Sequence, residues 1–200
     1  MRRPKDYVFF WKTDANKYAG SRKWGFLLVL IAECSGWASQ WYASPFTVMV
    51  GVAGEEREAT FTSAEQWMMV QKALLFSDMK IAEETLAIRE TGSRAMSKIK
   101  ALGRQVDGFD NDTWNMERER IVLEGNLHKF RQNEGLKQKL LATGNREFVE
   151  ASPGDRIWGI GFGEERAISE KESWGLNLLG KVLGETRRIL RQEVQNDVPA

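Results

Sequence analysis

Apolar positions recur at helical spacing along much of the chain after residue 60. Trp67, Val70 and Leu74 lie three or four positions apart, so they share one face of a helix. Ser63, a residue type that favours helix N-caps, precedes them. The pattern predicts a helix over Ser63–Ser77. Four more helices are predicted over Met79–Arg89, Asn115–Phe130, Glu134–Leu141 and Ser173–Gln192.

Short strands are predicted between turn-forming residues. Tyr7–Trp11 and Phe46–Val50 are short apolar runs flanked by Gly, Asn and Pro, and Arg146–Ala151 is a third segment of this kind. Helix dominates, so the predicted fold class is α+β, predominantly α-helical, with a few short strands. The 200 residues contain no internal repeat and no Pro- or Ser-rich linker, which favours a single domain over residues 1–200.

Charge and cysteine content restrict the protein class. The formal net charge is +1, so contact with nucleic acid or anionic lipid requires a local patch. The apolar run Phe26–Ala32 is too short to span a bilayer, and no membrane partner is expected. Cys34 is the single cysteine, which excludes an intrachain disulfide and a cysteine zinc cluster. These features predict a cytoplasmic location, with the nucleus as a second compartment.

Glu65 and Lys72 are the first candidates for chemistry. Seven residues make almost two helical turns, so the carboxylate and the amine share one face, about 10 Å apart along the axis. An alternative assigns Glu65 to a capping box with Thr62, and Lys72 to a solvated helix face. The residue pattern leaves both interpretations open.

The glycine-rich loop Ser152–Gly163 is the second candidate. Asp155 precedes Trp158 by three residues and Gly159 follows, which combines a carboxylate, an aromatic ring and a backbone that permits close approach. A plain loop explains the same pattern. The glycine spacing is not a dinucleotide-binding fingerprint, because Glu164 replaces the third glycine and no helix is predicted directly after it.

The remaining candidates concern stacking and metals. Trp114 stands among Asp and Asn residues, where an exposed indole can stack on a planar base, although core packing is the alternative. His128, the single histidine, lies within a predicted helix, which favours a structural role. The acidic stretch Asp107–Asp112 does not match a calcium-binding loop. No metal and no cofactor are predicted, which leaves carboxylate and lysine chemistry of the kind that breaks an activated C–N bond.

Several segments occur in a characteristic order. They are Phe61–Trp67, Gln71–Ala73, Leu102–Arg104, Trp114, Lys129–Phe130, Leu140–Gly144, Ser152–Gly161 and Asn177–Gly180. Together they resemble the NADAR (YbiA-like) family from about Tyr7 to Leu190. The resemblance implies one NADAR domain whose core covers about residues 7–190.

The resemblance also implies an N-glycosidase that hydrolyses the bond between ribose C1 and a nitrogen. In that reaction Glu65 is the catalytic carboxylate, Lys72 is its companion, and Trp114 stacks on the base or the ribose. The residues implied to shape the pocket are Asp155, Trp158, Gly159 and Asn177.

Two substrates follow from the resemblance: ADP-ribose attached to guanine, and the ribosylaminopyrimidine 5′-phosphates early in riboflavin synthesis. Arg104 and Arg156 lie in family-like segments and provide positive charge for a diphosphate, which favours ADP-ribosylated guanine. The expected partner is therefore a small N-glycoside or an ADP-ribosylated nucleic acid. A further alternative is a module that binds ADP-ribose or NAD derivatives without turnover.

Two departures from the family pattern affect substrate choice. About a dozen residues, Leu27–Ala38, are inserted before the segment that contains Trp41, and Gln40 stands where many members carry Asn. A reshaped loop and a longer amide side chain change the protein groups that contact the ligand. The reaction chemistry is less affected by either change.

Overall fold

The computed structural model describes residues 4–11, 35–52 and 55–196. Its backbone forms two compact units. The mixed unit combines the chain up to Ser39 with Ala142–Gly184, and the helical unit combines Gln40–Leu141 with the chain from Glu185 onwards. Of the inserted stretch Leu27–Ala38, residues 27–34 lie outside the described residues, while residues 35–38 form a 3₁₀ turn.

The described residues contain seven α-helices and four β-strands. The helices are α1 (Ala64–Leu75), α2 (Met79–Leu86), α3 (Ser93–Gly103), α4 (Asn111–Gln132), α5 (Glu134–Ala142), α6 (Glu164–Ala167) and α7 (Leu178–Asn196). The strands are β1 (Tyr7–Phe10), β2 (Phe46–Val52), β3 (Glu55–Phe61) and β4 (Glu147–Glu150). This confirms the predicted α+β fold with a predominance of helix. No helix in the described ranges is long and apolar enough to cross a bilayer.

Aromatic side chains organise the core of the helical unit. Strands β2 and β3 pair antiparallel, and the rings of Phe46 and Phe61 stack at a centroid distance of 5.5 Å. Phe61 meets the Trp67 indole of α1 at 5.1 Å, and Trp67 donates its Nε1–H to the carbonyl of Ile121 in α4 over 2.9 Å. A Cβ at Gly125 would lie 2.4 Å from Cδ1 of Trp67. Glycine is therefore required where α4 packs on α1.

The mixed unit is built on a two-stranded parallel sheet. Strands β1 and β4 pair in parallel, and their side chains Tyr7 and Val149 pack with Ile160 and Ala167. The Trp174 indole donates its Nε1–H to the Ala167 carbonyl over 2.7 Å. These contacts hold the glycine-rich loop, which contains Ile160, against the sheet.

Most predicted elements are confirmed, with shifted ends. The prediction at Ser63–Ser77 corresponds to α1, and the prediction at Asn115–Phe130 corresponds to α4, which begins four residues earlier and ends two later. Gly144, two residues after the end of α5, has φ 64, the left-handed conformation in which glycine commonly ends a helix. The division into one domain over residues 1–200 stays a prediction.

The sequence pattern missed α3 and β3. In α3, Ala95, Ile99 and Leu102 are buried at helical spacing, a signal that was present in the sequence. In β3, the first four residues are all exposed and charged, so no apolar alternation marks the strand. Its pairing with β2 determines the strand instead.

Two boundaries differ from the prediction near the glycine-rich loop. Helix α7 begins at Leu178 rather than Ser173, because Asn177 has φ 49 and cannot belong to a right-handed helix. Leu176, which falls inside the predicted helix Ser173–Gln192, precedes α7 and is 50% exposed. The expectation that no helix follows Gly163 is wrong, since α6 starts at the next residue with two glutamates in its first turn, where the helix dipole favours acids.

Candidate active site

The first turn of α1 positions Glu65. The Gln66 N–H donates to Ser63 Oγ over 3.3 Å, and Gln66 Oε1 accepts from the Thr62 N–H over 2.7 Å, so Ser63 and Gln66 cap the helix. The alternative capping box between Thr62 and Glu65 is therefore wrong. The Glu65 backbone N–H donates to the Gln40 carbonyl over 3.0 Å, and the residue is only 3% exposed. A buried carboxylate is thus held at the start of α1.

Lys72 lies two turns further along α1 and is half-buried. Its Nζ donates to the Gly103 carbonyl over 2.7 Å and lies 4.1 Å from the centroid of the Phe109 ring. Desolvation by burial lowers the pKa of the Lys72 amine below its ordinary value. The alternative of a solvated helix face is therefore wrong, and a larger fraction of this amine is neutral near physiological pH.

Aromatic rings surround the Lys72 amine. The ring centroid of Trp114 in α4 lies 5.7 Å from Lys72 Nζ, so the structure brings these two predicted residues together. Phe109, which the sequence analysis missed, contacts the amine more closely and is 42% exposed. Its position in an acidic stretch gave no signal for this role. Arg104 follows Gly103 at the end of α3 and has an exposed side chain.

The glycine-rich loop of the mixed unit has its own internal bonds. Asp155 Oδ1 accepts from the N–H groups of Ile157 and Trp158 over 2.9 Å and 2.8 Å. A Cβ at Gly159 would lie 2.7 Å from the Glu150 carbonyl oxygen, so this close approach of the loop to Glu150 requires glycine. In this structure the carboxylate of Asp155 shapes the turn that precedes Gly159.

Asn177 and Arg156 also bond to backbone of the mixed unit. Asn177, 5% exposed, donates its Nδ2–H to the Phe148 carbonyl over 2.9 Å, and its Oδ1 accepts from the Glu150 N–H over 3.1 Å. Arg156 donates from Nη2 to the Ser173 carbonyl over 2.8 Å. Asn177 therefore ties the start of α7 to β4, while the Arg156 side chain is exposed.

Lys129 in α4 is a buried cation that the sequence analysis noted only as part of a family segment. It is 0% exposed, and its Nζ lies 5.1 Å from the Phe130 ring centroid and 5.8 Å from that of Tyr42. Burial lowers the pKa of Lys129 to about 7. A lysine inside a helix is normally solvated, so its sequence position could not show this burial.

His128 has a packing role, in agreement with the prediction. Its ring stacks on Phe46 at 6.0 Å and meets Trp67 at 5.3 Å. Within the described ranges, no group of three or more His, Cys, Asp or Glu side chains could hold a metal ion.

Comparison with known proteins identifies the family. The NADAR domain model matches residues 9–191, a range that includes all nine predicted site residues. The chain is also 45% identical over 156 residues to a protein of Acanthamoeba polyphaga mimivirus named as an N-glycosidase, covering 77% of this chain and 87% of that protein. The chain belongs to the NADAR family.

Two further proteins are similar to this chain in fold or in sequence. The solution structure of YbiA from E. coli matches with a TM-score of 0.63 and 22% identity, over 96% of this chain and 89% of that one, which supports the fold. A riboflavin biosynthesis protein of Vibrio vulnificus is 28% identical over 137 residues, 68% of this chain but 32% of that protein.

The family and its named relative confirm the predicted enzyme class. This NADAR protein is a hydrolase that acts on N-glycosyl bonds. The roles of the individual site residues and the identity of the substrate stay predictions.

Proposed function

We propose that this NADAR protein removes ADP-ribose from guanine by hydrolysing the bond between ribose C1 and the base nitrogen. Glu65 is the acid and base of the reaction, and Lys72 is its companion. The observation that carries the proposal is the shared helix α1, which holds a buried carboxylate in its first turn and, two turns later, an amine whose pKa burial lowers.

The proposed reaction starts with proton transfer from Glu65 to the departing nitrogen. The C1–N bond breaks, its electron pair stays with the base, and positive charge develops on the ribose. In the simplest course, Glu65 as the base then activates water, which attacks C1. Acid and base help of this kind contributes about 10²–10⁴ in rate.

Lys72 has two candidate roles in this scheme. As an orienting group, its amine donates to the sugar. As a nucleophile, neutral Nζ attacks C1 as the base leaves. It then passes one proton to the Glu65 carboxylate and one to the ring oxygen as the bond between C1 and that oxygen breaks, which gives an imine that water hydrolyses to release ADP-ribose and regenerate the amine. The nucleophilic role requires a neutral amine, which the lowered pKa of Lys72 favours.

Borohydride trapping distinguishes these two roles. Reduction during turnover adds the mass of the sugar to Lys72 if the imine forms, whereas an orienting Lys72 gives no adduct. Lys80, an exposed residue of α2, is the matched control in the same peptide map.

Positive charge supports the ADP-ribose substrate. Arg104 is exposed directly after Gly103, the residue whose carbonyl accepts from Lys72. Arg156 donates from Nη2 to the Ser173 carbonyl, and a guanidinium with five N–H groups retains further donors for phosphate. The Trp114 ring near Lys72 provides a face on which a base or ribose can stack.

The second candidate substrate is the ribosylaminopyrimidine 5′-phosphate of early riboflavin synthesis. The likeness to the Vibrio vulnificus riboflavin biosynthesis protein favours it, and its single phosphate requires less positive charge. Measured rates on ADP-ribosylated guanine in DNA and on the ribosylaminopyrimidine decide between them. Faster turnover of the pyrimidine would contradict the proposal.

A binding module without turnover is the remaining alternative. Tight binding of ADP-ribose, with no released product from either substrate after long incubation, would establish it. We also propose a cytoplasmic or nuclear location, which the single cysteine favours because both compartments are reducing.

A further inference from the structure

Two buried amide side chains contact each other in the helical unit. Gln40 is 7% exposed and Asn126, in α4, is 0% exposed. Asn126 Nδ2 donates to the Val122 carbonyl over 2.8 Å and to Gln40 Oε1 over 3.2 Å. If the Asn126 amide were turned over, its oxygen would face the Val122 carbonyl, so the carbonyl fixes which atom is nitrogen. Gln40 must then present its oxygen to Asn126.

This orientation leaves one hydrogen-bond donor and one acceptor of the amide pair unsatisfied. Gln40 Nε2 and Asn126 Oδ1 are both buried, and neither has a hydrogen-bond partner among the described residues. Buried polar atoms are normally satisfied, so two such atoms on one bonded pair of amides indicate a polar ligand group that completes them.

The amide pair is linked directly to the proposed catalytic residue. The carbonyl of Gln40 accepts from the Glu65 N–H over 3.0 Å. In the proposed reaction Glu65 acts at ribose C1, and the carbon bonded to C1 carries the 2-hydroxyl. A hydroxyl can accept one hydrogen bond and donate another through a single oxygen, as this donor and acceptor require.

We infer that Gln40 and Asn126 bind the 2-hydroxyl of the ribose whose C1–N bond is cleaved, with Gln40 Nε2 donating and Asn126 Oδ1 accepting. The inference rests on the proposed function and extends it to sugar selection. Both candidate substrates contain this hydroxyl, so the pair selects ribosides over 2-deoxyribosides in either case.

Sugar selectivity of a Gln40→Met variant tests the inference. Methionine has a similar length but cannot donate. The ratio of kcat/KM for ADP-ribosylated guanine to kcat/KM for the adduct that lacks the 2-hydroxyl is measured in wild type and variant. The intrinsic reactivity of the two sugars cancels between the proteins. We expect the ratio to fall by about 10-fold or more in Gln40→Met, because a lost bond to a buried group has this size.

Gln138→Met is the matched control, since Gln138 is exposed on α5 and bonds to Glu134. It should keep the wild-type ratio. An unchanged ratio in folded Gln40→Met would overturn the inference while leaving the proposed function intact. Wild type that cleaves neither adduct would overturn the proposed function and, with it, the inference.

If the Gln40→Met variant does not fold, a binding measurement on the wild-type protein tests the inference instead. Calorimetry with wild-type protein compares ADP-ribose with its analogue lacking the same 2-hydroxyl. We expect about 10-fold or more weaker binding of the analogue. Equal affinities would overturn the inference.

Discussion

The start of α1 and the glycine-rich loop both supplied predicted site residues, but the structure uses their polar groups differently. In the loop region, the side chains of Asp155 and Asn177 bond to backbone N–H and carbonyl groups of their own unit. At α1, Ser63 and Gln66 satisfy the helix terminus. Glu65 is therefore not needed as a cap. The proposed reaction therefore uses a buried acid at the start of α1, whereas the side chains of the loop region shape the chain.

Glu65→Gln should produce the largest effect and tests the chemical side of this comparison. The amide keeps the shape of the side chain but cannot transfer a proton, so single-turnover cleavage should slow by about 10²–10⁴. Thermal unfolding should show that the variant is folded. Glu84→Gln, on the exposed face of α2, is the control and should retain the wild-type rate. Equal rates for wild type and folded Glu65→Gln would remove Glu65 from the mechanism.

Lys129 is a second buried ionisable group of the helical unit, and its burial should make the stability of the protein depend on pH. Its pKa is about 7 in the folded chain and near 10.5 when unfolded, so between these values the unfolded chain binds more protons. The free energy of unfolding should therefore rise with pH, by about 2 kcal/mol from pH 7 to pH 9. Urea unfolding at both pH values measures this rise, which Lys129→Met should abolish. A rise of equal size in the variant would assign it to other groups.

Asn177→Ala tests the structural side of the comparison. The change removes two hydrogen bonds to β4 backbone and places alanine at φ 49, which should lower the free energy of unfolding by about 2 kcal/mol. Urea unfolding measures the loss, and Asn196→Ala at the exposed end of α7 is the control. The single-turnover rate should change much less than in Glu65→Gln. A rate loss as large, with unchanged stability, would make Asn177 a participant in the chemistry.

Arg104→Gln and Arg156→Gln should have the smallest effects. Each should raise KM for the ADP-ribosylated substrate about 2- to 5-fold at low salt, and the effect should shrink as salt rises, because exposed charge contacts are screened. Steady-state kinetics at low and high ionic strength measure it. If both variants keep the wild-type KM at low salt, the smaller riboflavin intermediate becomes the better substrate.

Lys72 and Trp114 were named from the family resemblance, and the structure brings them together although they lie in different helices. Their roles in the reaction stay predictions. Phe109 and Asn126 were missed because neither lies in a segment that carries the family resemblance, and only the fold shows their contacts with distant residues. The role of Gln40 was visible only as a departure from the family pattern, with no indication of its partner.

The sequence by itself determined the helical periodicity, Ser63 as the N-cap residue of α1, and the family. Each depends on residues close together in the chain, or on the order of short segments. The tertiary structure decided which polar groups are consumed by the fold. It placed Gln66 rather than Glu65 against the Thr62 N–H, buried Lys129, and set the start of α7 directly after Asn177. Burial and hydrogen-bond satisfaction depend on distant segments packing together, and a pattern read along the chain does not contain that information.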